Sequence, residues 1–133
     1  MKPAKEYIVF LIDDDPLHLQ LLGRAMRQLN TIVPDVKSFT NVEDALDSIT
    51  VNAKDVRLLP DYIFLDINMP GMDGWQFLSS LQLLKTSMVK KPVIYMLSAS
   101  DDEQDLDMLN NYPEVKRYLT KPIKKQDLSR AFY

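Results

Sequence analysis

A doubly wound α/β domain, in which five parallel strands alternate with five helices, is the fold class this 133-residue sequence predicts. Short, continuous apolar runs rich in β-formers alternate with segments whose apolar residues recur at helical spacing. Continuous rather than alternating hydrophobicity marks a strand covered on both faces of a parallel sheet. Parallel neighbours also need crossover connections, which the helical segments supply. The length, with 46% hydrophobic residues, suits one packed core and leaves little for a second.

The first apolar run, residues 7–12, ends in three consecutive acids. Asp15 suits the N-cap of the next helix and Pro16 its first turn, with Leu22, Ala25, Met26 and Leu29 on one face. Residues 36–39 are shorter and more polar, as an edge strand would be. Thr40 and Glu43 then have the spacing of a capping box before a helix carrying Ala45, Leu46 and Ile49. A loop over 51–60 leads to a second buried strand, 62–67. After it come the turn from Asn68 to Gly74, with Asp73 as a turn and cap residue, and a helix packing Phe77, Leu78, Leu81 and Leu84. Trp75 is read as packing the start of that helix. Residues 93–97 form the third buried strand, and Ser100 with Glu103 repeats the capping-box spacing before a helix with Leu106 and Leu109. The last strand covers 115–119, and Lys121-Pro122 leads into a short helix with Ile123, Leu128, Ala131 and Phe132. Lys124 and Lys125 open that helix, and cations there oppose its dipole, so this end is expected to fray or to serve as a basic contact.

Composition excludes several functions. The net charge of -3 argues against direct binding of nucleic acid. Without Cys there is no disulfide framework, thiolate nucleophile, zinc-Cys site or iron–sulfur cluster. The lone His18 rules out a multi-histidine metal site and is read as an exposed helix residue or a rim contact. No apolar run approaches the ~20 residues needed to span a bilayer, so no membrane partner and a cytoplasmic location are expected. The acids are uneven, fifteen Asp against four Glu, an excess that helical surfaces would not create.

In an open parallel sheet, ligands bind outside the carboxyl ends of the strands. Here those ends carry Asp13 and Asp14, Asp66, Ser98, and Thr120-Lys121. Taken singly, each has a bland reading: a solvated turn, a cap, a surface lysine. Taken together at the ends of four strands, they form a hard-cation and phosphate site. Carboxylate oxygens without His or Cys favour Mg²⁺ or Mn²⁺, and the cation relieves the repulsion among the three acids. Lys121 and Ser98 suit phosphate oxygens. A carboxylate can itself attack phosphorus, and Asp66 is the best placed to do so.

The segments Ile8-Val9-Phe10-Leu11-Ile12-Asp13-Asp14-Asp15-Pro16, Asp61-Tyr62-Ile63-Phe64-Leu65-Asp66-Ile67-Asn68-Met69-Pro70-Gly71-Met72-Asp73-Gly74, Met96-Leu97-Ser98-Ala99 and Tyr118-Leu119-Thr120-Lys121-Pro122 carry a further reading. With them the chain resembles the receiver domain of bacterial two-component response regulators, of the stand-alone chemotaxis-regulator-like type, from about residue 6 to 131. The resemblance implies a flavodoxin-like (βα)5 sheet in the order 2-1-3-4-5. It implies Asp66 as phosphoacceptor, and Asp14, Asp13 (largely through water), Asp66 and the Asn68 backbone carbonyl around Mg²⁺. Ser98 and Lys121 would contact the phosphoryl group, and Tyr118 would change rotamer with Ser98. The donor would be a phosphohistidine on a sensor histidine kinase or histidine phosphotransfer protein. Ser98 stands where Thr is frequent, and Asn68 and Ser100 stand where such domains vary.

The expectation is therefore a single receiver domain over 1–133 without an output domain. It would act on an unidentified output protein through the face of the fourth helix, fifth strand and fifth helix, with phosphorylation-dependent dimerisation open. Met108 with Tyr112 is a candidate partner surface. Its rivals are a non-phosphorylated receiver-like scaffold, which the intact set of acids and Lys121 disfavours, and an aspartate-nucleophile phosphatase of the haloacid dehalogenase type. The latter finds a D-x-D in Asp13-Asp14-Asp15 but leaves Asp66 without a role. A flavodoxin-type FMN carrier is disfavoured by the acidic first loop.

Overall fold

A computed structural model describes residues 5–29, 32–69, 71–98 and 103–132. Its elements alternate in chain order: β1 (Lys5–Ile12), α1 (Pro16–Arg27), β2 (Ile32–Phe39), α2 (Val42–Val51), β3 (Tyr62–Asp66), α3 (Gly74–Leu84), β4 (Val93–Ser98), α4 (Glu103–Met108), β5 (Val115–Thr120) and α5 (Lys125–Ala131). The five strands form one parallel sheet in the order β2-β1-β3-β4-β5, as expected.

Successive strand residues face opposite sides, so each buried strand feeds two cores. Phe10, Ile12, Ile63, Leu65, Ile94 and Met96 meet Ala45 and Ile49 of α2 and Phe77, Leu78 and Leu81 of α3. Val9, Leu11, Phe64, Tyr95, Leu97 and Leu119 meet Leu19, Leu22 and Met26 of α1 and Leu128, Ala131 and Phe132 at the carboxyl end. The continuous apolar runs are thus explained by helices on both faces.

Several local expectations shift. β2 begins at Ile32, four residues before the predicted start, because an edge strand tolerates Pro34, whose missing N–H breaks no ladder on its open side. The N-cap of α2 is Asn41, not Thr40: its side chain accepts from the Asp44 N–H at 2.8 Å, while the fully buried Val42 anchors the first turn. Asp15 caps α1 and Asp73 caps α3 as predicted, the latter in a capping box with Gln76. Ser100 lies outside the described residues. α4 is short and passes into a 3-10 turn over Leu109–Asn111, with Leu106 exposed. Ile123 precedes α5 rather than belonging to it. The Asp127 carboxylate reaches back to accept from the Lys124 N–H at 3.3 Å, offsetting the cations at that end. Tyr112 does not form a surface with Met108: it is buried, stacks on Trp75 at 5.7 Å, and its hydroxyl meets Ser79 Oγ at 2.8 Å.

An aromatic cluster ties α5 to the sheet. Tyr62 packs edge-on against Tyr7 and Phe132, with centroids at 5.1 and 4.7 Å, and the Tyr95 hydroxyl donates to the Ala131 carbonyl at 2.6 Å. Burial, with Tyr7 and Tyr95 beside it, pushes the Tyr62 phenol up to about 12. A folded-state value above the free phenol's ~10 means that stability is intact below pH ~10 and declines as the pH rises through the folded value. Spectroscopic titration of phenolate is expected to show a late-ionising tyrosine that Tyr62→Phe removes; an unchanged titration would place that group elsewhere.

Candidate functional site

Four strand ends meet at the carboxyl edge of the sheet. β1 delivers Asp13, whose N–H donates to the Phe39 carbonyl at 3.0 Å, extending the pairing with β2 by one residue. β3 ends in Asp66 and β4 in Ser98. The Lys121 N–H donates to the Ser98 carbonyl at 2.7 Å, which brings the lysine stem to the same edge just before a cis Lys121-Pro122 bond. Asp13 is 2% exposed, Asp66 5% and Ser98 fully buried, so each polar group needs partners within the fold.

The partners of the two acids converge on one ammonium. Lys121 Nζ stands 3.0 Å from Asp13 Oδ2 and 3.3 Å from Asp66 Oδ2, bridging two acids from different strands. Asp66 Oδ1 also accepts from the Asn68 N–H at 3.3 Å. Asp13 Oδ1 accepts from the Asp15 N–H at 2.9 Å, and Asp13 Oδ2 is hydrogen-bonded by His18 Nδ1. Burial alone would push the Asp13 carboxyl up. The His18 ring, the Asp15 N–H and Lys121 outweigh it and hold Asp13 well below the usual carboxylate range. Asp66 goes the other way: burial raises it, and the neighbouring Asp13 charge adds to what Lys121 only partly offsets. Burial opposes the charge on Lys121, but the two acids more than compensate and raise it.

Asp14 is exposed, yet its carboxylate belongs to the same group. Ligand oxygens of Asp13, Asp14 and Asp66 all lie within 4.8 Å of one another. An all-oxygen set of this kind fits a hard divalent cation such as Mg²⁺ or Mn²⁺. Tyr118 is half-buried on β5, opposite Met96 and next to the core under α2 and α3, two residues before the level of Ser98.

Two residues gain roles that the sequence reading did not assign. His18, expected as an exposed helix residue or a rim contact, makes a contact at the rim of the site, where its ring is hydrogen-bonded to Asp13. It lies one helical turn before Leu22 and two before Met26, both buried, and that inward stripe was the signal available. Gly74 is the other: its N–H donates to the Ile67 carbonyl at 3.1 Å, and a Cβ added to it would lie 2.8 Å from the Asp66 carbonyl oxygen and 3.0 Å from Ile67 Cα. The glycine lets α3 start directly against the strand end that carries Asp66.

A parallel sheet in this order, with acids and a lysine gathered at its carboxyl edge, defines the receiver class of α/β domains. The family model described as the response regulator receiver domain matches residues 9–133, and the chain belongs to that family. It is 28% identical over 125 residues to the probable methanogenesis regulatory protein FilR2 of Methanothrix harundinacea, across 94% of this chain and 78% of that one. It is 32% identical over 123 residues to the positive alginate biosynthesis regulatory protein of Pseudomonas aeruginosa, covering 92% of this chain but only 44% of the relative. Among solved structures, a two component response regulator from Cytophaga hutchinsonii superposes with a TM-score of 0.79 at 26% identity, over 98% of this chain and 96% of the other. Family membership places the domain in two-component signalling. Among the described residues, no helix is long and apolar enough to cross a membrane.

Proposed function

We propose that this protein is a phosphorylatable switch of a two-component phosphorelay, accepting a phosphoryl group on Asp66 from a phosphohistidine donor. The observation that carries the reading is the single ammonium of Lys121 shared by Asp13 and Asp66, beside the exposed carboxylate of Asp14. An Asp66 oxygen attacks phosphorus, a P–O bond forms, the P–N bond to the donor imidazole breaks, and the imidazole keeps the electron pair and takes up a proton. Asp13, Asp14, Asp66 and the Asn68 backbone carbonyl would hold Mg²⁺ or Mn²⁺, which would offset the charge on the phosphoryl oxygens. Lys121 pairs with one phosphoryl oxygen and the Ser98 hydroxyl donates to another.

Those contacts exist only when the phosphoryl group is present, so they bias a two-state equilibrium. Ser98 moves toward the group, Tyr118 follows, and the face of α4, β5 and α5 is reshaped for an output protein or a second copy. The donor is a sensor histidine kinase or a histidine phosphotransfer protein. A haloacid-dehalogenase-like phosphatase would have no use for Asp66 at the centre of the lysine-linked cluster.

Incubation with Mg²⁺ and a small phosphodonor, followed by intact-mass analysis, is expected to add one phosphoryl group per chain, and a chelator is expected to prevent the gain. Wild-type protein that gains none overturns the reading.

A further inference from the structure

Lys121 holds Asp13 and Asp66 through one ammonium, 3.0 and 3.3 Å away. Resting on the reading of Asp66 as phosphoacceptor, a phosphoryl group draws that ammonium to a third oxygen. Asp13, 2% exposed, then needs another donor for Oδ2, because its Oδ1 is already engaged by the Asp15 N–H at 2.9 Å. The donor in place is His18 Nδ1, on the first turn of α1, with the ring itself only 19% exposed. A neutral ring protonated at Nδ1 and a fully protonated ring donate to Oδ2 alike.

We propose that His18 is a positioning residue of the cation site: it fixes the Asp13 carboxylate from the α1 side, so that the carboxylate keeps its orientation toward a divalent cation whether or not Lys121 remains on it. Carboxylates that ligate metals are themselves hydrogen-bonded, and losing such a partner costs 10–100-fold in affinity. His18 reaches the cation only through Asp13, and its ring nitrogen lies outside the cluster of three acids.

The test is titration calorimetry of the full chain with Mg²⁺ alone, without phosphodonor, on wild type, His18→Leu and His18→Asn. His18→Leu keeps bulk on the inward stripe of α1 but donates nothing, and its Kd is expected to rise about tenfold or more. His18→Asn places an amide N–H near the position of Nδ1, and its Kd is expected to return most of the way to wild type. Thermal unfolding without metal separates a folding defect from a ligand defect, and if His18→Leu does not fold, His18→Met, which also fills the inward stripe of α1 and donates nothing, is titrated in its place with the same expected rise in Kd. Wild-type affinity in His18→Leu, or no recovery in His18→Asn, overturns the role of His18 alone. A wild type that binds no Mg²⁺ overturns the cation site itself, and one that binds Mg²⁺ but accepts no phosphoryl group overturns the function while leaving the His18 measurement intact.

Discussion

Asp66→Asn is expected to take up no phosphoryl group under conditions that load the wild type, and, without Mg²⁺, to unfold at a higher temperature. Both effects follow from the placement of one carboxylate. The amide is a far weaker nucleophile toward phosphorus than the carboxylate, so the loss should be complete in intact-mass analysis. The stability gain comes from electrostatics. Asp66 is 5% exposed, faces Asp13 across a shared lysine, and is held in a site where burial disfavours its charge. Replacing it by a neutral near-isostere removes a like charge and leaves Lys121 fully on Asp13. A rise of about 2–5 °C, corresponding to about 1 kcal/mol in a domain of this size, is expected by differential scanning calorimetry. Added Mg²⁺ should narrow the gap, because it stabilises the wild type more than the variant. Equal phosphorylation of Asp66→Asn would move the acceptor to another residue. An unchanged or lower midpoint without metal would mean that Lys121 already neutralises both acids.

Gly74→Ala is expected to destabilise the protein by about 1–3 kcal/mol in denaturant unfolding, the range for forcing a methyl group into a packed site. The added Cβ would meet the Asp66 carbonyl oxygen at 2.8 Å and Ile67 Cα at 3.0 Å, and both are backbone atoms of a strand end that cannot rotate away. Either α3 retreats or the end of β3 moves, and the second response displaces Asp66 from Lys121 and the other acids. Gly74→Ala is therefore expected to slow phosphoryl uptake as well as lower stability. Gly71 provides the contrast. It has φ 77°, but a Cβ there would meet nothing within 4 Å, so Gly71→Ala carries backbone strain alone, about 1–2 kcal/mol, and should leave the rate of uptake near that of the wild type. Wild-type stability in Gly74→Ala would show that the junction of β3 and α3 yields freely.

The elements were legible to different depths. Strands covered on both faces were read to within two residues at each end, because their apolar runs are continuous and end abruptly at Asp13, Asp66 and Ser98. The edge strand is longer than its sequence signal suggests, since Pro34 and Asp35 interrupt the apolar run after Ile32 and Val33, and pairing with β1 carries the strand across them. The cap of α2 was misplaced by one residue because Thr40 and Asn41 are both good caps, and the burial of Val42 decides between them. Tyr112 read as surface because its partners, Trp75 and Ser79, lie more than thirty residues away on another helix.

The sequence by itself determined the fold class, the strand ends, and hence which residues gather at the carboxyl edge: Asp13, Asp14, Asp66, Ser98 and Lys121. Those follow from local hydrophobic periodicity and from the general rule for open parallel sheets. Only the tertiary structure decided how the charges pair: Lys121 between two acids, one of them 108 residues away in the chain, with His18 on the Asp13 oxygen that Lys121 also holds and Gly74 against the strand that carries Asp66. Periodicity says which side of an element faces inward. Which donor reaches which oxygen depends on where helices settle against the sheet to within about an ångström, because hydrogen bonds weaken steeply with distance and angle, and that is fixed by packing of the whole core.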